Sequence, residues 1–142
     1  MNNSTEETSE NKPEPLKIII FSFGFKHGAP VDTNLLFDVR FLPNPYWQEQ
    51  LRPMSGRDQE VSDYVIDSRE GKRFLELLLP LLSFVAEQAE QTHKEFRIGI
   101  GCTGGRHRSV AVVEALKRNF PENQALELVT FHRDIDRNGS QA

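Results

Sequence analysis

The segment Ile98–Val113, which reads IGIGCTGGRHRSVAVV, contains the residues best suited to holding an anion. Its glycines permit a tight turn that brings backbone N–H groups close to a bound ion. The helix predicted to begin near Ser109 adds the positive end of its dipole and its unpaired N–H donors. We therefore predict a phosphate-binding loop formed by Cys102, Thr103, Gly104, Gly105, Arg106, His107, Arg108 and Ser109. A glycine-rich turn with solvated basic side chains is the alternative interpretation.

Several side chains of this loop have an expected task. Arg106 and Arg108 would neutralise the phosphate, since a guanidinium binds it through two parallel hydrogen bonds. Thr103 and the loop amides would donate further hydrogen bonds. His107 would be a pH-dependent donor, because imidazole titrates near neutrality.

A second pattern overlaps the first, since Cys102–Ser109 fits C-x5-R-[ST], the active-site loop of cysteine-dependent phosphatases. A thiolate at a helix N-terminus has a depressed pKa, so Cys102 would be the nucleophile and Arg108 the clamp on the phosphoryl oxygens. A general acid would also be needed, and the candidates are Asp32, Asp38 and Asp58. A lone cysteine at a strand end is more often a small packed residue, and we favour binding over catalysis.

The loop needs a strand before it and a helix after it, and the sequence predicts both. Short β-branched and aromatic runs predict strands at Leu16–Phe23, Leu35–Arg40, Phe96–Gly101 and Leu126–His132. Helices are predicted after an N-cap at Asp58, over Phe74–Gln91 with a kink or a division at Pro80, and over Ser109–Asn119. Strands that alternate with helices favour an α/β fold with a small, mostly parallel sheet flanked by helices. An α+β arrangement is the alternative.

Parallel strands would bring several cationic groups to one edge of the sheet. Cationic or imidazole side chains occur at or just after the end of each predicted strand: Lys26, His27, Arg40, the 102–109 loop, His132 and Arg133. Asp38 is expected either to pair with an arginine or to act as an acid. Tyr46 and Trp47 follow a proline-rich turn. If exposed they would stack on bases or sugars, and if buried they would be core aromatics.

The composition narrows the class of protein. The 142 residues fit one domain. Four glutamates and one lysine in residues 1–15 account for −3 of the formal net charge of −4. That stretch lacks aromatic and branched aliphatic side chains, so we predict a disordered acidic tail over 1–15, a folded domain over 16–137 and a frayed end over 138–142. The nearly neutral remainder argues against coating nucleic acid by bulk charge, but not against a focused phosphate site.

Other classes are excluded by what the sequence lacks. It has no run of the roughly 18 apolar residues that a membrane helix needs and no secretory signal, so we expect a cytoplasmic protein without a membrane partner. The single cysteine excludes an intrachain disulfide framework, and the four histidines lack metal-ligand spacing. Neither a metal nor a cofactor is predicted.

Four blocks of the sequence resemble the C-terminal domain of the RapZ/YvcJ family of bacterial RNase adapter and nucleotide-binding proteins. In order, they are FSFGFKHGAP (Phe21–Pro30), FDVRFLPNPYW (Phe37–Trp47), LRPMSGRDQEVSDYV (Leu51–Val65) and GCTGGRHRSV (Gly101–Val110). The resemblance covers about Leu16–Arg133. It implies that the domain binds RNA and a phosphorylated amino sugar rather than catalysing a reaction.

The resemblance also implies which residues surround the loop. Arg40, Asn44 and Tyr46 would line it, with Lys26 and His27 nearby. Full-length members of the family also carry an N-terminal domain with a Walker motif. No such motif occurs in this sequence, so nucleotide hydrolysis is not transferred to it.

The sequence therefore predicts a non-enzymatic, phosphate-centred binding domain for RNA, for a small phosphorylated ligand, or for both. The alternatives are a cysteine-dependent phosphatase and a protein-interaction domain with a vestigial anion loop. Both a homo-oligomer and a complex with a protein partner are compatible with the sequence.

Overall fold

Four parallel strands form the central sheet of the computed structural model, which describes residues 14–137. The strands are β1 (Leu16–Gly24), β2 (Leu35–Asp38), β3 (Glu95–Cys102) and β4 (Leu126–His132), in the spatial order β2-β3-β1-β4. Their alternation with helices confirms the predicted α/β fold. The predicted acidic tail, apart from residues 14 and 15, and the predicted frayed end lie outside the described residues.

Three helices pack against one face of this sheet: α1 (Gln59–Ile66), α2 (Arg69–Ala89) and α3 (Arg108–Asn119). Side chains alternate between the two faces of a strand, so every second residue points towards these helices. The main core is formed by strand residues and helix residues that include Ile18, Ile20, Ile98, Ile100, Leu82, Val112 and Leu116. This core fixes the position of α3 relative to β3, and therefore of the loop between them.

The second face of the sheet carries a smaller apolar cluster of Ile19, Phe21 and Phe23. The connection from β1 to β2 crosses this face, where the Asp32 carboxylate lies 3.5 Å from the Arg97 Nε. The Arg97 guanidinium lies 5.2 Å from the centre of the Phe21 ring, within the range of a cation–π contact. β1 is therefore buried on both faces, which makes it a rigid base for the loops at its carboxyl end.

Helix α2 is longer than predicted and runs through Pro80 without interruption. Its N-terminus is capped by Ser68, whose hydroxyl accepts from the Gly71 N–H at 2.9 Å, so the helix begins five residues before the predicted start at Phe74. Of the two predicted effects of Pro80, a kink or a division, the division is wrong. Pro80 lies on the exposed side of the helix, while the opposite side is anchored in the core by Leu78 and Leu82.

The four strands end at one edge of the sheet, as the parallel arrangement requires. β2 ends at Asp38, two residues earlier than predicted, although the Val39 N–H still bonds the Gly101 carbonyl at 2.9 Å. The segments that follow β1, β2, β3 and β4 therefore surround one region, and the candidate site lies there. Among residues 14–137, no helix is both long enough and apolar enough to cross a membrane.

Candidate anion-binding site

The loop Thr103–His107 joins β3 to α3 and is held on two sides by close backbone contacts. On one side lies Gly24, where an added Cβ would come within 2.4 Å of the Gly104 carbonyl carbon. On the other side the Gly56 N–H donates to the Arg106 carbonyl at 2.9 Å. Gly105 has φ +80°, a left-handed conformation that favours glycine. The loop conformation is thus set by close packing against two neighbouring segments.

The backbone N–H groups of this loop have no partner in the described part of the chain. From Thr103 to Val110, none donates a hydrogen bond to an acceptor within residues 14–137. The first turn of a helix normally leaves its N–H groups free, but here the free run begins in the loop that precedes α3. Consecutive free N–H groups around a left-handed residue are a typical anion-binding arrangement.

Arg108, at the first position of α3, is the buried cation of the site and is only 4% exposed. Its Nη1 donates to the Arg40 carbonyl at 2.7 Å, and its Nη2 lies 3.4 Å from the Thr103 hydroxyl. Its Nε is buried and has no partner within the described residues. Burial lowers the pKa of Arg108 below that of a free arginine.

Arg108 also has no carboxylate in direct contact with it among the described residues. No carboxylate within residues 14–137 lies within 4.0 Å of its guanidinium, whereas Arg40 pairs with Asp38 at 2.6 Å and Arg133 with Asp134 at 2.9 Å. A buried charge without a counterion is costly, and the site is therefore electrostatically suited to an anionic ligand.

Cys102 lies beneath the loop and is completely buried. Its Sγ is 3.1 Å from the Ser109 hydroxyl oxygen, so the two ends of the C-x5-R-[ST] pattern are in contact. Of the three candidate acids, Asp38 is paired with Arg40, and Asp58 accepts from the Ser55 N–H at 2.9 Å. Asp32 lies 3.5 Å from the Arg97 Nε on the second face of the sheet.

Two loop residues face the protein rather than the expected ligand. Arg106 donates to three backbone carbonyls, those of Pro53, Met54 and Ile135, at 2.7 to 3.1 Å. It therefore ties the loop to two neighbouring segments instead of presenting free donors to a phosphate. The ring of His107 is fully buried, and its Nε2 donates to the Arg52 carbonyl at 3.1 Å. Burial lowers the pKa of His107, so the expected surface donor is an interior, neutral imidazole.

The residues after β1 and β2 form the rim around the loop. Lys26 is exposed and His27 half-buried, and the Lys26 N–H donates to the Thr103 carbonyl at 3.1 Å. Arg40 is held by Asp38, and this hydrogen bond lowers the pKa of Asp38. The predicted pairing of Asp38 with an arginine is therefore confirmed.

The proline-rich segment after β2 continues the rim. Asn44 caps a short turn by accepting from the Tyr46 N–H at 3.1 Å. The half-buried Tyr46 ring lies 4.7 Å below the Arg52 guanidinium. Trp47, in contrast, is 71% exposed, so of the two predicted environments it has the exposed one.

Asp134, which the sequence analysis did not single out, anchors the segment after β4. Its buried carboxylate accepts from the Gly24 N–H at 2.8 Å and from Arg133 and Arg137, both at 2.9 Å. Burial alone would raise the pKa of Asp134, but these hydrogen bonds outweigh it and lower the pKa. The signal in the sequence that could have identified Asp134 is its place between Arg133 and Arg137, just after a predicted strand.

His132 is the second predicted cation that the structure shows to be internal. Its Nδ1 lies 2.7 Å from the Ser22 hydroxyl and its Nε2 2.7 Å from the Glu114 carboxylate. Burial lowers the pKa of His132 despite the neighbouring carboxylate. Within the described residues, no group of three or more His, Cys, Asp or Glu side chains is placed to hold a metal ion.

Comparison with known proteins identifies the family. The model for the RapZ C-terminal domain matches residues 16–136, nearly all of the described chain. The chain belongs to the RapZ C-terminal domain family. The resemblance drawn from the four sequence blocks is thus confirmed, and the loop and rim described above lie inside the matched region.

Its relatives in this family are bacterial and longer than this chain. It is 50% identical over 119 residues to a nucleotide-binding protein of Geobacillus thermodenitrificans, covering 83% of this chain and 39% of the relative. It is 45% identical over 128 residues to nucleotide-binding protein YvcJ of Bacillus subtilis, covering 89% and 43%. A nucleotide-binding protein of Pseudarthrobacter chlorophenolicus is 43% identical over 134 residues, covering 94% and 44%. The chain therefore spans less than half the length of these relatives.

Proposed function

We propose that this RapZ C-terminal domain is a non-enzymatic binding domain that holds the phosphate group of its ligand on the loop Cys102–Ser109. The observation that carries the proposal is Arg108, a buried guanidinium without a carboxylate partner among residues 14–137, beside a run of free backbone N–H groups. A phosphate would supply both the missing negative charge and the missing acceptors.

The roles of the loop residues follow from their contacts. Arg108 and the N–H groups from Thr103 to Val110 are the direct ligands, and the exposed Thr103 hydroxyl is a further donor. Arg106 and His107 instead position the loop, because their donors are bonded to backbone carbonyls.

Binding is favoured over phosphatase chemistry by the surroundings of Cys102. Its Sγ is fully buried and contacts Ser109, so an in-line attack on a phosphorus atom would first require the loop to move. Two of the candidate acids, Asp38 and Asp58, are held by hydrogen bonds to neighbouring residues.

The burial of the loop favours a terminal phosphate, such as that of a nucleotide or an amino sugar phosphate. Gly104, Gly105 and Arg108 are buried, and a terminal phosphate can enter deeper than one in a continuous backbone. The curated relatives are named nucleotide-binding proteins, and the family resemblance implies an amino sugar phosphate.

RNA is the second candidate because the rim offers stacking and charge. Trp47 is largely exposed, and Lys26 and Arg40 lie after β1 and β2 at the same edge of the sheet. Exposed aromatic rings and cationic groups together are typical of surfaces that bind single-stranded nucleic acid.

Amide NMR during a ligand titration tests the main proposal directly. We expect inorganic phosphate, an amino sugar phosphate and a nucleoside monophosphate each to shift the N–H resonances of residues 103–110. The unphosphorylated amino sugar is the matched control and should leave them in place. If none of the three phosphates moves these resonances, the proposal is wrong.

Two further measurements separate the alternatives. Turnover of an aryl phosphate that disappears in Cys102→Ser would assign the loop to catalysis. For RNA, we expect Trp47→Ala to weaken binding and affinity to fall as salt rises, since phosphate contacts release counterions. If RNA affinity changes neither with Trp47→Ala nor with the salt concentration, the proposal that the rim binds RNA is wrong.

A further inference from the structure

Strand β4 is the last strand on one side of the sheet, and its outer edge carries free backbone groups. On the inner edge, the Arg133 N–H donates to the Ser22 carbonyl of β1 at 2.9 Å. Alternate residues of a strand bond to the same neighbour, so the even-numbered residues of β4 point outwards. Among residues 14–137, the N–H groups of Thr130 and His132 and the carbonyls of Leu128 and Thr130 make no hydrogen bond.

Glu122 covers the beginning of this outer edge and leaves the rest open. Its carboxylate accepts from the Leu128 N–H at 3.0 Å, as the carbonyl of an added strand would do. Many sheets protect their edge strands with a proline or a bulge, but β4 contains no proline and pairs with β1 in unbroken register. An extended peptide can add a strand to an open edge of this kind through main-chain hydrogen bonds.

An exposed aromatic ring lies beside the same edge. Phe131 is 38% exposed and stacks on Phe21 of β1, with ring centres 5.0 Å apart and planes 5° from parallel. Arg97 of β3 lies over the Phe21 ring at 5.2 Å, so planar groups from three neighbouring strands form a row. Because β4 is the last strand, the far side of the Phe131 ring points towards the outer edge. A planar side chain of an added strand would continue the row there.

Two cations lie near the carboxyl end of β4. Burial lowers the pKa of His132, Glu114 opposes this effect, and the positive charges of Arg57 and Lys117 lower the pKa further. Within the described part of the chain, neither Arg57 nor Lys117 has a carboxylate within 4.0 Å. An acidic side chain in the added strand would therefore meet a complementary charge.

A second copy of this chain fits the outer edge less well than a segment of different sequence. If two copies met antiparallel with their Thr130 residues opposite each other, Phe131 would face Val129 of the other copy rather than a planar group. His132 would face Leu128 of the other copy, whose N–H already has an acceptor. The row of planar groups and the two cations would both lack a complement. The edge therefore favours a different protein.

We propose that the outer edge of β4 binds an extended segment of a partner protein, which adds a fifth strand to the sheet. The segment carries an aromatic residue opposite Phe131 and an acidic residue near Arg57 and Lys117. The free backbone groups supply affinity, and the ring and the cations supply specificity. The candidate anion loop is not part of this surface, so peptide binding and phosphate binding can be tested separately.

Selection from a library of random short peptides, displayed on phage and presented to the complete chain, provides the probe. We expect peptides in which an aromatic residue recurs close to aspartate or glutamate. Thr130→Pro should weaken binding of a selected peptide by about ten-fold or more, because proline has no N–H and its ring projects from the outer edge. Thr130→Ala keeps the N–H and is the matched control. Both variants should retain the circular dichroism spectrum of the unmodified chain.

N-methylation of a selected peptide tests the backbone pairing without altering the protein. Methyl groups on the amides that face β4 should each reduce affinity by about ten-fold or more, whereas those on the alternate amides, which point away, should have little effect. Equal losses at every amide overturn the proposal. So do a library that yields no binding peptide and peptides that bind Thr130→Pro as well as Thr130→Ala. Self-association of the chain that disappears in Thr130→Pro would assign the edge to a second copy and would also overturn it.

The ring and the charges are tested with the same peptide. Phe131→Ala should weaken binding by about two- to ten-fold. Leu36→Ala is the matched control, because Leu36 is 39% exposed but lies in β2 on the opposite side of the sheet. Arg57→Glu and Lys117→Glu should each weaken binding by about two- to ten-fold, and Lys72→Glu on α2 should not. Affinities equal to those of the controls would overturn the roles of the ring and of the cations.

Discussion

Arg108 combines three properties that rarely occur together in one arginine. It is buried, it is bonded mainly to backbone carbonyls, and it lacks a carboxylate partner among residues 14–137. The nearby Arg40 and Arg133 are cations of the same edge, but each has an aspartate beside it. This difference is the reason why we propose Arg108, rather than Arg40 or Arg133, as the arginine that binds the anion.

Replacing Arg108 by lysine tests this assignment. Lysine keeps the positive charge but lacks the planar fork, so we expect phosphate affinity to fall by about ten-fold or more. Arg118→Lys, at the exposed opposite end of α3, is the control and should bind as the unmodified chain does. Calorimetric titration with inorganic phosphate measures both. Equal affinity in the two variants would contradict the role of Arg108.

Asp134 is expected to stabilise the fold from the segment after β4. Asp134→Asn removes the charge that pairs with Arg133 and Arg137, and we expect it to lower the free energy of unfolding by about 2 kcal/mol. Asp136→Asn, two residues away and exposed, should leave it nearly unchanged. Urea denaturation at neutral pH compares the two. If both variants unfold at the same urea concentration, Asp134 does not have this role.

At the scale of elements, the site depends on how closely the segments after parallel strands can approach. The end of β1 touches the loop between β3 and α3 without intervening side chains, because Gly24 faces Gly104 and Gly105. The loop after β4 supports the same contact through the hydrogen bond from the Gly24 N–H to Asp134. The free N–H groups are thus held in place by backbone packing.

Gly24→Ala should disturb both stability and binding. The added Cβ would lie 2.4 Å from the Gly104 carbonyl carbon, so the loop must shift. We expect the free energy of unfolding to fall by about 1–3 kcal/mol and phosphate binding to weaken. Gly28→Ala is the control: no atom lies within 4 Å of its added Cβ, and only its φ of +97° is unfavourable. Phosphate binding that is unchanged in Gly24→Ala would show that the loop does not depend on this contact.

For the whole molecule, two buried neutral histidines make stability depend on pH. Burial lowers the pKa of both His107 and His132 below the 6.5 of a free imidazole. The unfolded chain therefore binds more protons than the folded one just below pH 6.5. Its free energy of unfolding should thus fall as the pH falls below that value.

Urea denaturation at pH 7.5, 6.5 and 5.5 measures this dependence. We expect the slope between the two lower pH values to be smaller in His132→Gln, which cannot titrate, even though this variant loses some stability at every pH. His93→Gln is the control, because His93 is exposed and lies beyond α2. A slope that is the same in all three chains would contradict the assignment.

Local patterns in the sequence were sufficient to predict the α/β class, the parallel strands and the loop between β3 and α3. Glycine, β-branched and aromatic residues report on the backbone within a few positions, and they located β1, β3, β4 and α3 to within one or two residues. The helix is not divided at Pro80, because Leu78 and Leu82 on the opposite face anchor it in the core, and a local rule about proline does not include such contacts.

The partner of each charge could not be read from the sequence, because it depends on contacts between distant segments. Arg106, His107, Arg108 and His132 are all candidate cations by type and position. Only the tertiary structure shows that Arg106 bonds carbonyls about 50 residues earlier in the chain, that the two histidines are buried, and that Arg108 has no carboxylate partner among residues 14–137. The sequence alone determined the fold class and the loop on which we propose that an anion is held. The tertiary structure decided which groups are free to hold it, since burial and pairing are properties of packing rather than of residue type.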